Sequence, residues 1–460
     1  MAMLHGLDPK MFKKHHLDKI SSSFCLAKWY EATMWLYMGE TASCHHNPTH
    51  GIELDPNDLR SLHNTKEKIH ERHSMLKGRQ PAGCNYCWNA EKFGQTSDRM
   101  MKSRSYDTNL IATDIPDKVT PLRLEIAFSR TCNLACAYCG PQFSSTWAND
   151  IKKHGSYDLK VNRRFNADIK DKLIKDEENP YVDAFLEWWP ELSKTLQIIR
   201  FTGGEPLLHI PFWEFMDMLD KERTYRGNLF VNSNLIHHKG QVEKFIEQTK
   251  FLWDKQSKDV DRNSFMGNKV EIHTSCESNM AQAEFTRDGF DGELWMKNVR
   301  TVLDTSDIAL TITTAINNMS CWSYIDYLKM IESLRAEYGN HRVRLNANRV
   351  LHPEFHQVQL IPKEYREQLG KEVEEFMEVQ KHLGDSVSKN QIKNFISFMY
   401  DSYFESAIAK QYHIAQDDVE KDMIKFLDQY LVRRNKTMDG LDPRYIEWIN
   451  TVREKYNGNA

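Results

Sequence analysis

No apolar run in this sequence approaches the length of a bilayer span. The richest early stretch, Trp29 to Met38, is short and contains Glu31, whereas a span needs about 20 apolar residues. The opening MAMLHGLDPKMFKKHH lacks an apolar core, so no secretory signal is expected there. Basic charge is not in excess either. A formal charge of -4 and a pI near 6.6 leave no broad electrostatic footprint for a nucleic acid and argue against that partner. Internal repeats and low-complexity tracts are missing, which excludes solenoids and arrays. The expectation is a cytoplasmic protein without a membrane partner. In that reducing compartment nine cysteines point to metal ligation or catalysis rather than a disulfide framework.

What is present suits a packed globular chain. Of 460 residues, 40% are hydrophobic and 11% aromatic, enough for two or three domains. Residues 1–118 hold Cys25, Cys44, Cys84 and Cys87 among short polar stretches. Residues 119–362 alternate β-branched runs with helix-length segments. Six runs are expected as strands: Leu122–Phe128, Leu196–Phe201, Asn228–Asn232, Lys269–Thr274, Ile308–Ala315 and Val343–Leu351. Strands separated by helices indicate βα units and a parallel sheet, open or curled into a partial barrel. In both, the site lies at the strands' C-terminal ends. Residues 363–460 are charged and helical in pattern, as in Glu372–His382 and Asp417–Arg434. Ser156–Glu178, rich in Lys and Asp, is expected as a solvated insertion.

The first strand runs into Arg130-Thr131-Cys132-Asn133-Leu134-Ala135-Cys136-Ala137-Tyr138-Cys139-Gly140. Such short spacing lets one loop wrap three thiolates around one centre, and soft thiolates favour iron–sulfur clusters or zinc. Three ligands leave one metal position open. A structural zinc with a fourth ligand from elsewhere is the plainer alternative. The second strand ends in Gly203-Gly204-Glu205-Pro206, where glycines allow close backbone approach and a carboxylate is offered to a cation.

Together, Cys132, Cys136 and Cys139 with Tyr138, followed by Gly203-Gly204-Glu205-Pro206, resemble the radical S-adenosylmethionine (SAM) signature. The resemblance implies a [4Fe–4S] cluster on the three cysteines, with SAM chelated to its open iron. It implies reductive cleavage of SAM to a 5′-deoxyadenosyl radical that takes hydrogen from a substrate. It implies an α/β fold with a partial (β/α)6 TIM-like barrel over 119–362. Tyr138, Gly203, Gly204, Glu205 and Pro206 would then contact SAM, with Glu205 on its ammonium. Asn232, Asn234 and Ser275, at the ends of the third and fourth strands, would join them. An Asn-rich turn explains Asn232-Ser233-Asn234 equally well. Asn346, Asn348 and Val350 on the last strand would lie near the adenine.

The four upstream cysteines form a second set. Two pairs suit one fully ligated centre, zinc or [4Fe–4S], and spacing alone does not choose. The pattern Cx(13)GxxxxC with a distant CxxC resembles the SPASM/twitch auxiliary-cluster modules, with Phe24-Cys25-Leu26-Ala27-Lys28-Trp29 like their start. Arg72, Met75, Gly78, Glu91, Gly94, Ser97 and Arg99 resemble their end. The resemblance implies an auxiliary [4Fe–4S] cluster on Cys25, Cys44, Cys84 and Cys87. Such modules usually follow the barrel; here the set precedes it, as in N-terminal twitch radical SAM proteins, often encoded by phages and their hosts. Residues 1–118 would then be the auxiliary domain and 363–460 a helical extension, where Phe426-Leu427-Asp428 and Arg433 also look familial. His45 or His46 could replace one thiolate.

Cys276, after the fourth strand, could donate hydrogen to a substrate radical, as in an epimerase. A buried core cysteine is the plainer reading. Cys321 is expected to be structural. Glu277 could orient an amine or act as a base, although a solvated carboxylate is more common. The resemblance favours a peptide or protein substrate, crosslinked, epimerised or oxidised, though no winged-helix-like recognition segment is visible. The alternatives are a small molecule such as an amino sugar, amino alcohol or nucleotide, a nucleic-acid base, or a zinc-binding interaction protein without activity. A flavodoxin or ferredoxin would be the electron donor.

Overall fold

The structure, a computed structural model, describes residues 7–161, 173–174, 178–238, 240–254, 267–401 and 415–457. Its described strands are β1 (Glu31–Trp35), β2 (Glu40–Ala42), β3 (His50–Gly51), β4 (Arg123–Ala127), β5 (Ala135–Cys136), β6 (Ile198–Thr202), β7 (Asn228–Asn232), β8 (Val270–Ser275), β9 (Arg287–Asp288), β10 (Ala309–Ile316) and β11 (Val343–Arg349). The six expected strands are all present, each within two residues at either end, as β4, β6, β7, β8, β10 and β11. β-Branched residues dominate β10, whose Thr and Ile side chains pack well on a pleated surface.

Two compact units divide the chain. The first gathers Met1–Ser129, Lys172–Gly203 and His209–Phe230; the second gathers Arg130–Asp171, Gly204–Leu208 and Val231–Ala460. These units follow packing and interleave the segments 1–118, 119–362 and 363–460, which stay a proposal about modules.

In the first unit β1 pairs parallel with β4, Glu31 opposite Arg123 through Trp35 opposite Ala127. On its other edge it pairs antiparallel with β2, which pairs with β3. β4 also pairs parallel with β6. The apolar run Trp29 to Met38 is therefore half strand, with short helical turns on either side. The helix Pro180–Leu192 starts where physical chemistry favours it. Asn179 accepts from the Tyr181 and Val182 amides, and proline fills the first helical position. Its Phe185 and Trp189 meet Phe215 of the helix Ile210–Glu222, with Trp189 edge-on at 4.7 Å.

In the second unit β10 pairs parallel with both β8 and β11. Parallel sheets are usually apolar on both faces, but this one is not. Leu310, Ile312, Val343 and Leu345 are buried, while His273, Thr311, Thr313, Arg344 and Asn346 alternate with them on the other face. On that face Glu271 ties the strands together. It accepts from Arg344 Nη1 at 2.9 Å, lies 3.3 Å from His273 Nε2 and accepts from the Thr311 hydroxyl.

The segment Ser156–Glu178 is not a solvated insertion where it begins. Tyr157 and Leu159 are buried. The Lys160 and Val161 amides donate to Asp422 at 2.8 and 2.7 Å, and Arg433 lies over the Tyr157 ring at 3.8 Å. Lys160 is exposed, and Tyr157 stacks on Phe426 of the helix Gln416–Arg434. Residues 162–172 and 175–177 lie outside the described residues.

Candidate functional site

Cys132, Cys136 and Cys139 are half-buried, form no disulfide, and sit on one tightly fastened loop. The helix Ser145–His154 begins against it. Ser144 caps that helix and donates to the Leu134 carbonyl at 2.7 Å. Thr146 Oγ1 donates to the Cys132 carbonyl at 2.6 Å, and the Cys132 amide donates to Ser145 Oγ at 3.1 Å. Trp147 Nε1 donates to the Cys136 carbonyl at 2.9 Å. Polar side chains at a helix start thus bind the loop's backbone and leave its sulfurs to other partners. Burial pushes the Cys136 thiol up to about 12, with Arg287 pulling the other way, and raises Cys132 further. Thiols so placed ionise only when a metal takes the charge.

The far side of the loop is held by a two-residue antiparallel ladder, β5 with β9, in which Cys136 faces Arg287 and Ala135 faces Asp288. The helix Gln416–Arg434 closes over both. Arg433 and Arg434 each lie 3.4 Å from Asp150, and Arg434 Nε lies 3.4 Å from Asp288. Tyr430 donates to the Phe285 carbonyl at 2.9 Å.

Gly204 meets the start of this loop. A Cβ on Gly204 would come within 2.5 Å of the Arg130 carbonyl oxygen and closer still to that of Thr131. The Glu205 amide donates to the Thr131 carbonyl at 2.8 Å. Gly203 holds φ at +107°, and a Cβ there would lie 2.5 Å from the Ser129 carbonyl oxygen.

Glu205 is fully buried and spends both oxygens inside the protein. Oε2 accepts from the Asn234 amide at 2.6 Å. Oε1 accepts from the Leu207 amide at 3.1 Å and lies 3.2 Å from His237 Nε2. Burial raises its carboxyl, but these bonds outweigh burial and hold it below the usual range. Asn234 Nδ2 in turn donates to Asn133 Oδ1 at 2.7 Å, so Glu205 and Asn234 bind the cysteine loop to the end of β7. Asn232 points outward and exposed, Ser275 is half-buried and Pro206 is buried.

Cys276 is completely buried, its thiol 3.4 Å from the Ser278 carbonyl and pushed up to about 12 by burial. That burial favours a core cysteine over a hydrogen donor. Cys321 is buried too. Glu277 is neither solvated nor free: Tyr138 donates to its Oε1 at 2.5 Å and Arg287 Nη1 at 2.9 Å.

His356, which sequence reasoning passed over, sits under the loop with Nε2 3.2 Å from the Ala137 carbonyl. Burial pushes its pKa down to about 3. Unfolded, the ring takes a proton near pH 6.5. The unfolded chain therefore binds the extra proton between pH 6.5 and 3, and stability falls as pH drops through that window, with no effect above it. At pH 5 the cost is about 2 kcal/mol. The urea midpoints of wild type and His356→Gln are therefore expected to draw together between pH 7 and pH 5. An unchanged gap would mean the folded ring is already charged.

The upstream cysteines converge in the first unit. Cys25, Cys44, Cys84 and Cys87 line one cavity together with Lys28, Asn47, Arg99 and Lys102. Asn47 bridges two of them, Oδ1 3.1 Å from Cys44 Sγ and Nδ2 3.5 Å from Cys84 Sγ. Burial raises Cys84, pushes Cys25 up to about 11 and Cys87 up to about 12. Lys28, Arg99 and Lys102 on the wall are each paired to a carboxylate, Glu71, Glu91 and Glu31. His46 also lines the cavity, and both His45 and His46 lie against Asp98. Asp98 Oδ2 lies 3.5 and 2.6 Å from their Nε2 atoms, and His46 stacks on Tyr86 at 3.8 Å.

No family model and no curated protein matches this chain. Among solved structures, Streptococcus suis SuiB bound to S-adenosylmethionine is similar at 11% identity, covering 76% of this chain and 67% of that one, with a TM-score of 0.32. SuiB bound to precursor peptide SuiA is similar at 12%, covering 76% and 69%, with a TM-score of 0.32. The AdoMet-bound anSMEcpe is similar at 11%, covering 72% and 99%, with a TM-score of 0.35. Likenesses this faint carry no functional argument. No helix among the described residues is long and apolar enough to cross a membrane.

Proposed function

We propose that this chain is a radical SAM enzyme carrying an auxiliary iron–sulfur cluster. The observation that carries the reading is the loop Arg130–Gly140. Its three cysteines form no disulfide, its backbone is fastened at Cys132, Leu134 and Cys136, and Gly204 is pressed onto its start. Cys132, Cys136 and Cys139 would hold the SAM-binding [4Fe–4S] cluster, and Cys25, Cys44, Cys84 and Cys87 the auxiliary one. When bound, the first cluster and SAM supply a 5′-deoxyadenosyl radical that takes hydrogen from the substrate. The chain's own part is to hold the loop rigid and to place backbone and side chains at the strand ends for SAM. Tyr138, Gly203, Gly204 and Pro206 are proposed for that role, with Asn232 and Ser275. Glu205, its oxygens already used, serves by holding Asn234 and the glycine turn.

The architecture that goes with this reading is a partial (β/α)6 barrel between a twitch-like N-terminal domain and a helical C-terminal extension, phage-type in arrangement. The substrate favoured by the SPASM/twitch resemblance is a peptide or protein. The polar face of β8, β10 and β11 supports a polar group in the site and keeps an amino sugar or nucleotide as the second reading. A flavodoxin or ferredoxin is the proposed electron donor.

The test is anaerobic reconstitution with iron and sulfide counts, for wild type and for Cys132→Ala/Cys136→Ala/Cys139→Ala. Wild type is expected to hold twice the iron of the variant, and only wild type to release 5′-deoxyadenosine from SAM under reduction. A variant without iron would remove the auxiliary cluster. Zinc alone in wild type, with SAM left intact, would sink the whole reading.

A further inference from the structure

The second unit buries a charged pair beside the cysteine loop that none of the roles above uses. Arg287 stands directly opposite Cys136 in the β5–β9 ladder. Side chains of directly opposed residues in an antiparallel ladder leave on the same side, so the guanidinium and the Cys136 thiol share one face. Arg287 is the largest charge acting to lower that thiol. Its Nη1 donates to Glu277 Oε1 at 2.9 Å and to the Tyr138 hydroxyl at 2.8 Å. The pair is nonetheless incomplete. Arg287 Nε is buried and finds no acceptor, and Glu277 Oε2 is buried and finds no donor.

A buried guanidinium N–H without an acceptor is costly, and arginine cannot escape by losing its proton. The acceptor such a donor lacks is what a metal-bound sulfur beside Cys136 would supply. Hydrogen bonds and charge at the sulfurs set the reduction potential of an iron–sulfur centre. We propose that Arg287 is a positioning residue that donates to a sulfur of the cluster at Cys136 and raises its reduction potential, while Glu277 moderates that effect from the other side of the guanidinium. Tyr138, shared between the two, couples the loop's aromatic to the pair. This rests on the cluster assignment above and adds a residue outside the cysteine and glycine motifs.

The test is a spectroelectrochemical titration of the reconstituted full-length protein, read by electron paramagnetic resonance. Signals of the Cys132/Cys136/Cys139 cluster are assigned by difference from the triple alanine variant. Arg287→Gln is expected to move that cluster's midpoint to more negative potential, and Glu277→Gln to more positive potential, with the other cluster unmoved in both. Arg287→Lys, which keeps the charge, is expected to restore part of the shift and decides the matter if Arg287→Gln does not fold. Opposite shifts cannot come from simple loosening, which would move both variants alike. If both load iron and titrate at the wild-type potential, Arg287 is only a structural pair and the inference falls while the cluster assignment stands. If wild type places no iron on these cysteines, both fall together.

Discussion

Gly204→Ala is expected to lose several-fold or more of its cluster loading and to unfold at clearly lower urea. The added methyl would lie within 2.5 Å of a main-chain oxygen of Arg130 and closer to that of Thr131. Main chain cannot swing aside as a flexible side chain can. The two strand-end loops must therefore separate, and with them the Glu205 amide bond to Thr131 at 2.8 Å. Overpacking of this kind costs about 1–3 kcal/mol. The loop that moves is the one that carries the three thiols, so loading should suffer beyond what stability alone explains. Iron content and a urea curve on the same preparation check this. Normal loading at reduced stability would mean the loop tolerates displacement, and no change in either would mean that the close approach is not real.

Arg99→Ala is the second large effect, now in the first unit. Arg99 is fully buried and grips Glu91 with two bonds, Nε to Oε1 at 2.8 Å and Nη2 to Oε2 at 2.6 Å. It also donates to the Phe24 carbonyl at 2.7 Å and lies 5.2 Å over the Trp88 ring. It thus joins the segment of Cys25 to the helix that starts beside Cys84 and Cys87. Removing one partner of a buried pair costs about 3–5 kcal/mol, because the other is left charged and dry. Lysine cannot reproduce the two-pronged grip. Both Arg99→Ala and Arg99→Lys should therefore lose auxiliary iron, while the cluster on Cys132, Cys136 and Cys139 still forms. Iron counts against the triple cysteine variant separate the two sites. Full auxiliary loading in Arg99→Ala would show that the four thiols assemble without it.

Much of this was legible in the sequence, for identifiable reasons. The β-branched runs marked β8 and β10 because their periodicity is the period of a strand. The cysteine spacing marked the loop because three thiols so close in sequence must be close in space. The upstream four were legible only by resemblance, since Cys25 and Cys87 meet through turns that periodicity does not encode. What stayed hidden depends on distant partners. β5 and β9 are two residues each and lie about 150 residues apart in the chain, too short for any pattern. The sequence marked Glu277 as a possible base, but its ion pair with Arg287 needed the fold. Glu205 was expected to face a ligand's ammonium, and its glycine context said nothing of the amides that already fill it. The insertion at Ser156 misled because its charged residues dominate the composition while Tyr157 and Leu159 at its start are buried.

The fastening of the cysteine loop by Arg433 and Arg434 has a consequence in time. Asp150 and Asp288, which meet these arginines, are made long before them. At about 5–20 residues per second, a ribosome makes Arg434 roughly 15–60 s after Cys139. During that interval the nascent loop has its thiols but not the helix that holds it shut. Iron arriving in that interval would meet a loop still without this fastening, so under the proposed function cluster insertion is expected to follow synthesis of the Gln416–Arg434 helix.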